Sequence, residues 1–281
     1  MDPAPGLVVV GHVTLDACEG GYLLGGAAYA ALIGARLGYR VGLVTSFGSD
    51  LVPSPDLDGI AVTCQASPES TVFHNSYQGD RREQTLVTTA LPVQASLLPS
   101  SWRDAPLALL APMAGEVGEE WLDVFPGAVM GACPQGWLRR RGPQGRVEAS
   151  PWAWAEAGLS RLEVLIVSLD DLSGDEKLAS SWSTMVGCLV LTLGADGAWV
   201  YFEGGRTHLP PVAPSRVVDR TGAGDAFAAA FLVKWREGHG PIKAGRFASR
   251  VASAVVEGKG LGGVPSPELM EDAWRRVATE V

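Results

Sequence analysis

The chain has 281 residues, nearly half of them hydrophobic, with 35 glycines and 19 prolines; that suits one or two folded domains with many turns and excludes a disordered polymer. A formal net charge of −9 argues against a nucleic-acid-binding surface, yet local amides or a metal can still bind a phosphate inside an acidic protein. The four scattered cysteines form no Cys-x-x-Cys pair, no apolar run reaches the ~18 residues of a membrane helix, and the N-terminus lacks the basic and apolar regions of a signal peptide, so a reduced, cytoplasmic setting without membrane partners is expected.

In chain order, Leu7–Val10 and Val41–Thr45 are short apolar runs bounded by glycines and read as strands, with a small-residue helix over Ala27–Leu37 between them. Continuous apolar runs at Leu107–Ala111, Ala128–Met130, Val164–Val167 and Leu189–Leu193 lack alternation, as parallel strands covered on both faces should. Helical patterns are predicted at 116–124, 172–183, 224–236, 241–256 and 266–279. The alternation indicates an α/β fold with a doubly wound, mostly parallel sheet between helix layers. Residues 12–24 and 59–89 break that rhythm with alternating patterns. Thr71–Tyr77 and Arg82–Thr88, joined by Gly79-Asp80, read as a hairpin. It is either the edge of the main sheet or part of a small β-sheet lid. Cys18 and Cys188 sit in apolar surroundings and are expected as small core residues. Arg139-Arg-Arg141 reads most simply as a solvated turn.

The most informative stretch is Asp219-Arg-Thr-Gly-Ala-Gly-Asp225. Gly222, Ala223 and Gly224 free backbone N–H groups at the start of a helix, where the dipole also favours an anion. Asp225 follows at once. A carboxylate there would repel a phosphate but is well placed to take a proton from whatever attacks one. Ordinary capping also accounts for an Asp in a first turn, so both readings fit the residues.

These seven residues resemble the C-terminal signature of the ribokinase-like (PfkB-type) carbohydrate kinases. The resemblance implies that Asp225 is the catalytic base and that the Gly222–Gly224 amides form an anion hole. Four further places are similar to the same family. Val10-Gly-His-Val-Thr-Leu-Asp16 resembles the first strand, whose Asp16 would bind substrate hydroxyls at the carboxyl end of the sheet. Gly25-Gly26 resembles the substrate loop, with Tyr29 near the place of an Asn common in the family. Leu191–Val200 resembles the nucleotide-side strand and turn, which would bring Thr192 and Gly194 toward the ATP phosphates, with Gly197 in the tight turn into the next strand and Thr221 also on the nucleotide side. Ala252–Gly260, with Gly258, resembles the wall of the adenine pocket. Where the family has Asn-x-x-Glu for magnesium, this chain has Ser168-Leu-Asp-Asp171, leaving Asp171 as the metal-sphere candidate.

Pro134–Arg140 and the Phe73–Gln84 hairpin are similar to a cyclitol subgroup such as the myo-inositol kinases, with Trp137 as core and Arg139 as either a substrate contact or a surface charge. The resemblance thus implies a single domain with lid inserts at about 12–24 and 59–89. It also implies ATP and Mg2+, a small sugar or cyclitol substrate, and a lid through which family members often form homodimers. K+ dependence, common in the family, stays open. So do a nucleoside acceptor and a non-catalytic ligand-binding regulator. A dinucleotide-binding oxidoreductase would need Gly-x-Gly-x-x-Gly after the first strand, and Gly11-His-Val-Thr stands there instead; Walker and protein-kinase motifs are absent too.

Overall fold

In β1 (Leu7–Val10) every side chain is buried, Leu7 and Val9 in one hydrophobic cluster and Val8 and Val10 in another. A strand whose alternate residues enter two separate cores lies in a sheet covered on both faces. The computed structural model describes residues 4–52, 54–78 and 81–280. The Gly79-Asp80 turn lies outside the described residues.

The chain continues through β2 (Val13–Cys18), β3 (Gly21–Gly26), α1 (Ala27–Arg36), β4 (Val41–Phe47), β5 (Ala61–Ala66), β6 (Thr71–Gln78) and β7 (Arg81–Thr88). Next come β8 (Leu107–Leu110), β9 (Val129–Ala132), β10 (Arg139–Arg141), β11 (Val147–Ala149), α2 (Ala155–Arg161), β12 (Val164–Ser168) and α3 (Glu176–Trp182). The last part holds β13 (Cys188–Thr192), β14 (Ala198–Phe202), β15 (Gly205–Leu209), α4 (Ala223–Arg236), α5 (Pro241–Val255) and α6 (Pro267–Thr279).

Among the described residues the main sheet has the order β15-β14-β13-β12-β9-β8-β1-β4-β5, parallel from β13 to β5 with an antiparallel β14–β15 edge. A separate small sheet has the order β3-β2-β6-β7, antiparallel except for the β2–β6 pair. Helices α1 and α4 pack together through Ala28, Ala30, Ala31, Ala226, Ala228, Ala229 and Ala230, all fully buried. Small side chains let these two helices approach closely on one face of the sheet. The opposite face carries a tryptophan cluster in which Trp152 contacts Trp137, Trp154 and Trp182 with ring centroids 4.6, 5.0 and 5.7 Å away.

The chain leaves β1 toward β4 and β5 and later resumes on the other side at β8, so the strand order reverses between β1 and β8. A crevice opens at the carboxyl ends of strands at such a point. Glu116 fixes its geometry. Its buried carboxylate accepts hydrogen bonds from the backbone N–H groups of His12 and Met113 (both 2.8 Å) and Ala114 (2.7 Å). His12, fully buried, bridges to the small sheet. Its Nε2 donates to the Leu91 carbonyl (3.0 Å), which leaves Nδ1 to accept from the Thr71 hydroxyl (2.7 Å).

Four expectations are corrected. The 116–124 segment holds only a short 3-10 turn at Glu119–Asp123, because Gly115, Gly118 and Pro126 leave too little chain for an α-helix. The helix expected from 172 begins at Glu176: Ser173 and Gly174 have positive φ (53° and 85°), and the Asp175 side chain caps the N–H groups of Lys177 and Leu178. Ala61–Ala66, expected with the lid, pairs in parallel with β4 as the last strand of the main sheet. Cys18 is half-buried rather than core, whereas Cys188 is buried and its thiol is pushed up to about 12 by burial.

Glu116→Ala leaves three buried amides without their acceptor, at about 1–3 kcal/mol for each unsatisfied group. The variant is expected to lose at least about 3 kcal/mol of stability in urea denaturation.

Candidate active site

Gly222 starts the site. It adopts a left-handed conformation (φ 75°) and caps α4, placing Ala223, Gly224 and Asp225 in the first turn. A Cβ at Gly222 would lie 2.3 Å from the ring of Tyr29, so both backbone and space demand glycine. The preceding loop is held by Asp219, whose two carboxylate oxygens accept from the N–H groups of Thr221 (2.9 Å) and Gly260 (3.1 Å). The Val218 N–H adds a bond to the Val256 carbonyl (2.8 Å). This joins the Thr221–Asp225 turn to the turn after α5, where Gly258 packs on Gly263 so tightly that a Cβ would meet it at 2.4 Å.

Asp16 enters from β2, buried, over the backbone of Gly25, where a Cβ would come within 2.1 Å of its Oδ2. Gly26, with φ 61°, turns the chain from β3 into α1. From Asp16 a polar relay crosses the small sheet. Arg139 Nη1 donates to Gln84 Oε1 (3.2 Å), Gln84 Nε2 to Asn75 Oδ1 (2.8 Å), and Asn75 Nδ2 to Asp16 Oδ1 (3.0 Å). Arg139 is a pure hydrogen-bond donor and the Asp16 carboxylate a pure acceptor, so the ends of the relay orient both amides.

The arginine run is therefore a strand, not a solvated turn. Arg139 points inward, its side chain 7% exposed, with its guanidinium 5.8 Å from the Phe73 ring centroid and 3.9 Å from Asp171. Arg140 points outward to Glu148 (2.9 Å), and Arg141 bonds the carbonyls of Leu86 and Val87 along β7. Leu138, Trp137 and Trp152 form the apolar floor under this hairpin.

Asp171 follows the end of β12, where its Oδ2 accepts from Ser168 Oγ (2.8 Å). Thr192 is in register with Ser168 on the neighbouring strand. Gly194 (φ 60°) and Gly197 (φ 90°) shape the β13–β14 turn, and Gly197 lies against the backbone of Leu209, which would be 2.1 Å from a Cβ. Among the described residues no group of three or more His, Cys, Asp or Glu side chains could enclose a metal. Asp171 with Ser168 fits an ion that keeps most of its waters and takes its other oxygens from a ligand.

Two side chains show which carboxylates share the crevice. The Tyr29 phenol is held well above its ordinary pKa by burial first, then by Asp219, Asp16 and Asp225. The Cys133 thiol, just beyond β9, is likewise raised by burial, then by Asp225 and Asp171. Asp16 and Asp225 are thus both near Tyr29, and Asp225 and Asp171 both near Cys133, with Gly25 against Asp16 and Gly222–Gly224 at the head of α4. Sequence reasoning missed Asn75, Gln84, Cys133, Glu116 and the clamp made by Asp219. Asn75 and Gln84 stood inside the predicted hairpin but carried no motif, and only Asp219 lay within a recognised one.

Residues 168–269 match the model of the pfkB family carbohydrate kinases. Over 269 aligned residues the chain is 28% identical to a cytidine kinase of Thermococcus kodakarensis, covering 83% of this chain and 89% of that one. A pyrophosphate-dependent kinase in the ribokinase family, complexed with a pyrophosphate analog and myo-inositol, has a TM-score of 0.80 at 24% identity, with 95% of this chain and 99% of that chain covered. Arabidopsis thaliana ribokinase complexed with ribose and ATP has a TM-score of 0.72 at 21% identity, covering 97% and 99%. Fold and site together define a ribokinase-fold kinase. The stretch that matches the pfkB family carbohydrate kinases carries Asp171, Thr192 and the Gly222–Asp225 turn.

Two outcomes are expected. Gly222→Ala combines a left-handed alanine with overpacking against Tyr29 and should cost about 2–4 kcal/mol in chemical denaturation. Because its raised pKa leaves Cys133 protonated at neutral pH, its alkylation by iodoacetamide should trail that of Cys18 at pH 7.5 and gain only as the pH climbs well above the ordinary thiol value, as read by peptide mass spectrometry.

Proposed function

We propose that this phosphotransferase moves the γ-phosphoryl group of ATP to a hydroxyl of a small polyhydroxylated acceptor, a sugar or a cyclitol such as myo-inositol. The observation that carries the reading is the placement of Asp225 in the first turn of α4, on the helix that the left-handed Gly222 caps. The early N–H groups of α4 are directed at an incoming anion, and the Asp225 carboxylate stands beside them as a proton acceptor.

In this reading Asp16 accepts hydrogen bonds from acceptor hydroxyls, and the Asn75–Gln84–Arg139 relay fixes its orientation. Asp225 removes the proton of the attacking hydroxyl as the new O–P bond forms and the bond to the leaving ADP breaks. The Gly222–Gly224 amides stabilise charge developing on the transferring oxygens. Asp171 and Ser168 are the residues that would hold a hydrated magnesium ion, which supplies neutralisation of phosphate charge when bound. The small sheet formed by β3, β2, β6 and β7 serves as the lid that keeps bulk water from competing as acceptor.

A nucleoside acceptor is the second reading, favoured by the end-to-end similarity to a cytidine kinase. An assay of product release with ATP or pyrophosphate as phosphoryl donor, against myo-inositol, ribose and cytidine, separates these cases. Asp225→Asn should reduce kcat by at least ~10²-fold while leaving the Kd for ATP almost unchanged. Turnover near the wild-type rate would remove the base assignment.

A further inference from the structure

Tyr29 stands where the sequence departs from the family's pattern, and its surroundings are unusual. The side chain is fully buried at the start of α1, its ring lies under Gly222, and its hydroxyl has no hydrogen-bond partner among the described residues. Around it are the carboxylates of Asp16, Asp219 and Asp225. A buried hydroxyl without a partner is costly, and native proteins keep few of them. A second such hydroxyl lies beside Asp16: Thr14 Oγ1 is buried over Gly25 and has no partner among the described residues.

The chemistry of the crevice gives these hydroxyls a use. Carboxylates only accept hydrogen bonds, so Asp16 and Asp225 can take the protons of a ligand's hydroxyls but offer nothing to its oxygen lone pairs. The Asn75 Nδ2 and Arg139 Nη1 bonds already described run along the relay to Asp16 and Gln84. We propose that the Tyr29 hydroxyl is an acceptor-binding contact, donating a hydrogen bond to a ligand oxygen whose own proton goes to Asp16 or Asp225. Burial beside three carboxylates keeps the phenol protonated, and therefore able to donate, throughout the neutral range. The ligand class is a polyol presenting adjacent hydroxyls, each used as both hydrogen-bond donor and acceptor. The inference rests on reading the crevice as the site of the phosphoryl acceptor.

Tyr29→Phe keeps the ring under Gly222 and removes only the hydroxyl. The free variant should melt at the wild-type temperature or above it, because a buried group without a partner has gone. Its KM for the preferred polyol should rise about tenfold, with the KM for the phosphoryl donor unchanged. An unchanged polyol KM overturns the proposal. So does a lower melting temperature with both KM values raised together, which is the signature of a purely structural tyrosine. If the wild-type protein turns over none of myo-inositol, ribose and cytidine, the kinase reading fails by itself. Thermal shifts with the same three compounds then decide on Tyr29: a wild-type shift lost in Tyr29→Phe supports the contact, and equal shifts, or none, overturn it.

Discussion

The geometry of the crevice depends on one buried carboxylate. Glu116 gathers the N–H groups of His12, Met113 and Ala114 at the point where the strand order reverses. Without it, three amides at the carboxyl ends of β1 and β8 would face an apolar interior. With it, β2 leaves the main sheet on a fixed heading, and His12 ties that departure to Thr71 and Leu91. Asp16, only four residues past His12, inherits its position from this arrangement. A charged group inside the protein is tolerated because several backbone dipoles converge on it.

An acidic chain that handles phosphates has to keep its own carboxylates apart from the anion. Asp219 is spent on the backbone of Thr221 and Gly260, and Asp171 accepts from Ser168 beside Arg139. Asp16 is engaged by Asn75 on the side of the small sheet. Against these stand the N–H groups at the start of α4 and the buried guanidinium of Arg139. The net charge of −9 says little about this balance, because local partners and not the sum decide it.

Much of the fold was legible because its signals are local. Runs such as Leu107–Leu110 and Val164–Val167 are apolar throughout, and a strand covered on both faces admits few other readings. The 219–225 turn was legible for the same reason, with glycine, small residue and carboxylate adjacent in sequence. The 61–66 strand was assigned to the wrong sheet because, at the edge of the main sheet, its residues are exposed or half-buried and it lacks the wholly apolar run of the covered strands. Arg139 was harder still. Its burial follows from a hairpin packed on β7 and on tryptophans brought in from 152 and 182, and its partner Gln84 is 55 residues away. Tyr29 could be flagged as a departure, but its isolation becomes visible only when α4 is laid against α1.

The relay from Arg139 to Asp16 has a direction. Each N–H points the same way, from guanidinium to Gln84, from Gln84 to Asn75, and from Asn75 to the carboxylate. Aligned dipoles of this kind polarise one another, so positive potential from Arg139 is carried through two neutral amides to the floor where a ligand would rest. The same guanidinium lies 3.9 Å from Asp171, at the other end of the crevice. A change of charge at either carboxylate is therefore registered at the other, and substitutions at 75, 84 and 139 should not add. Retuning this pocket for a new ligand would require replacing the two amides together, since turning one of them around sets like poles facing.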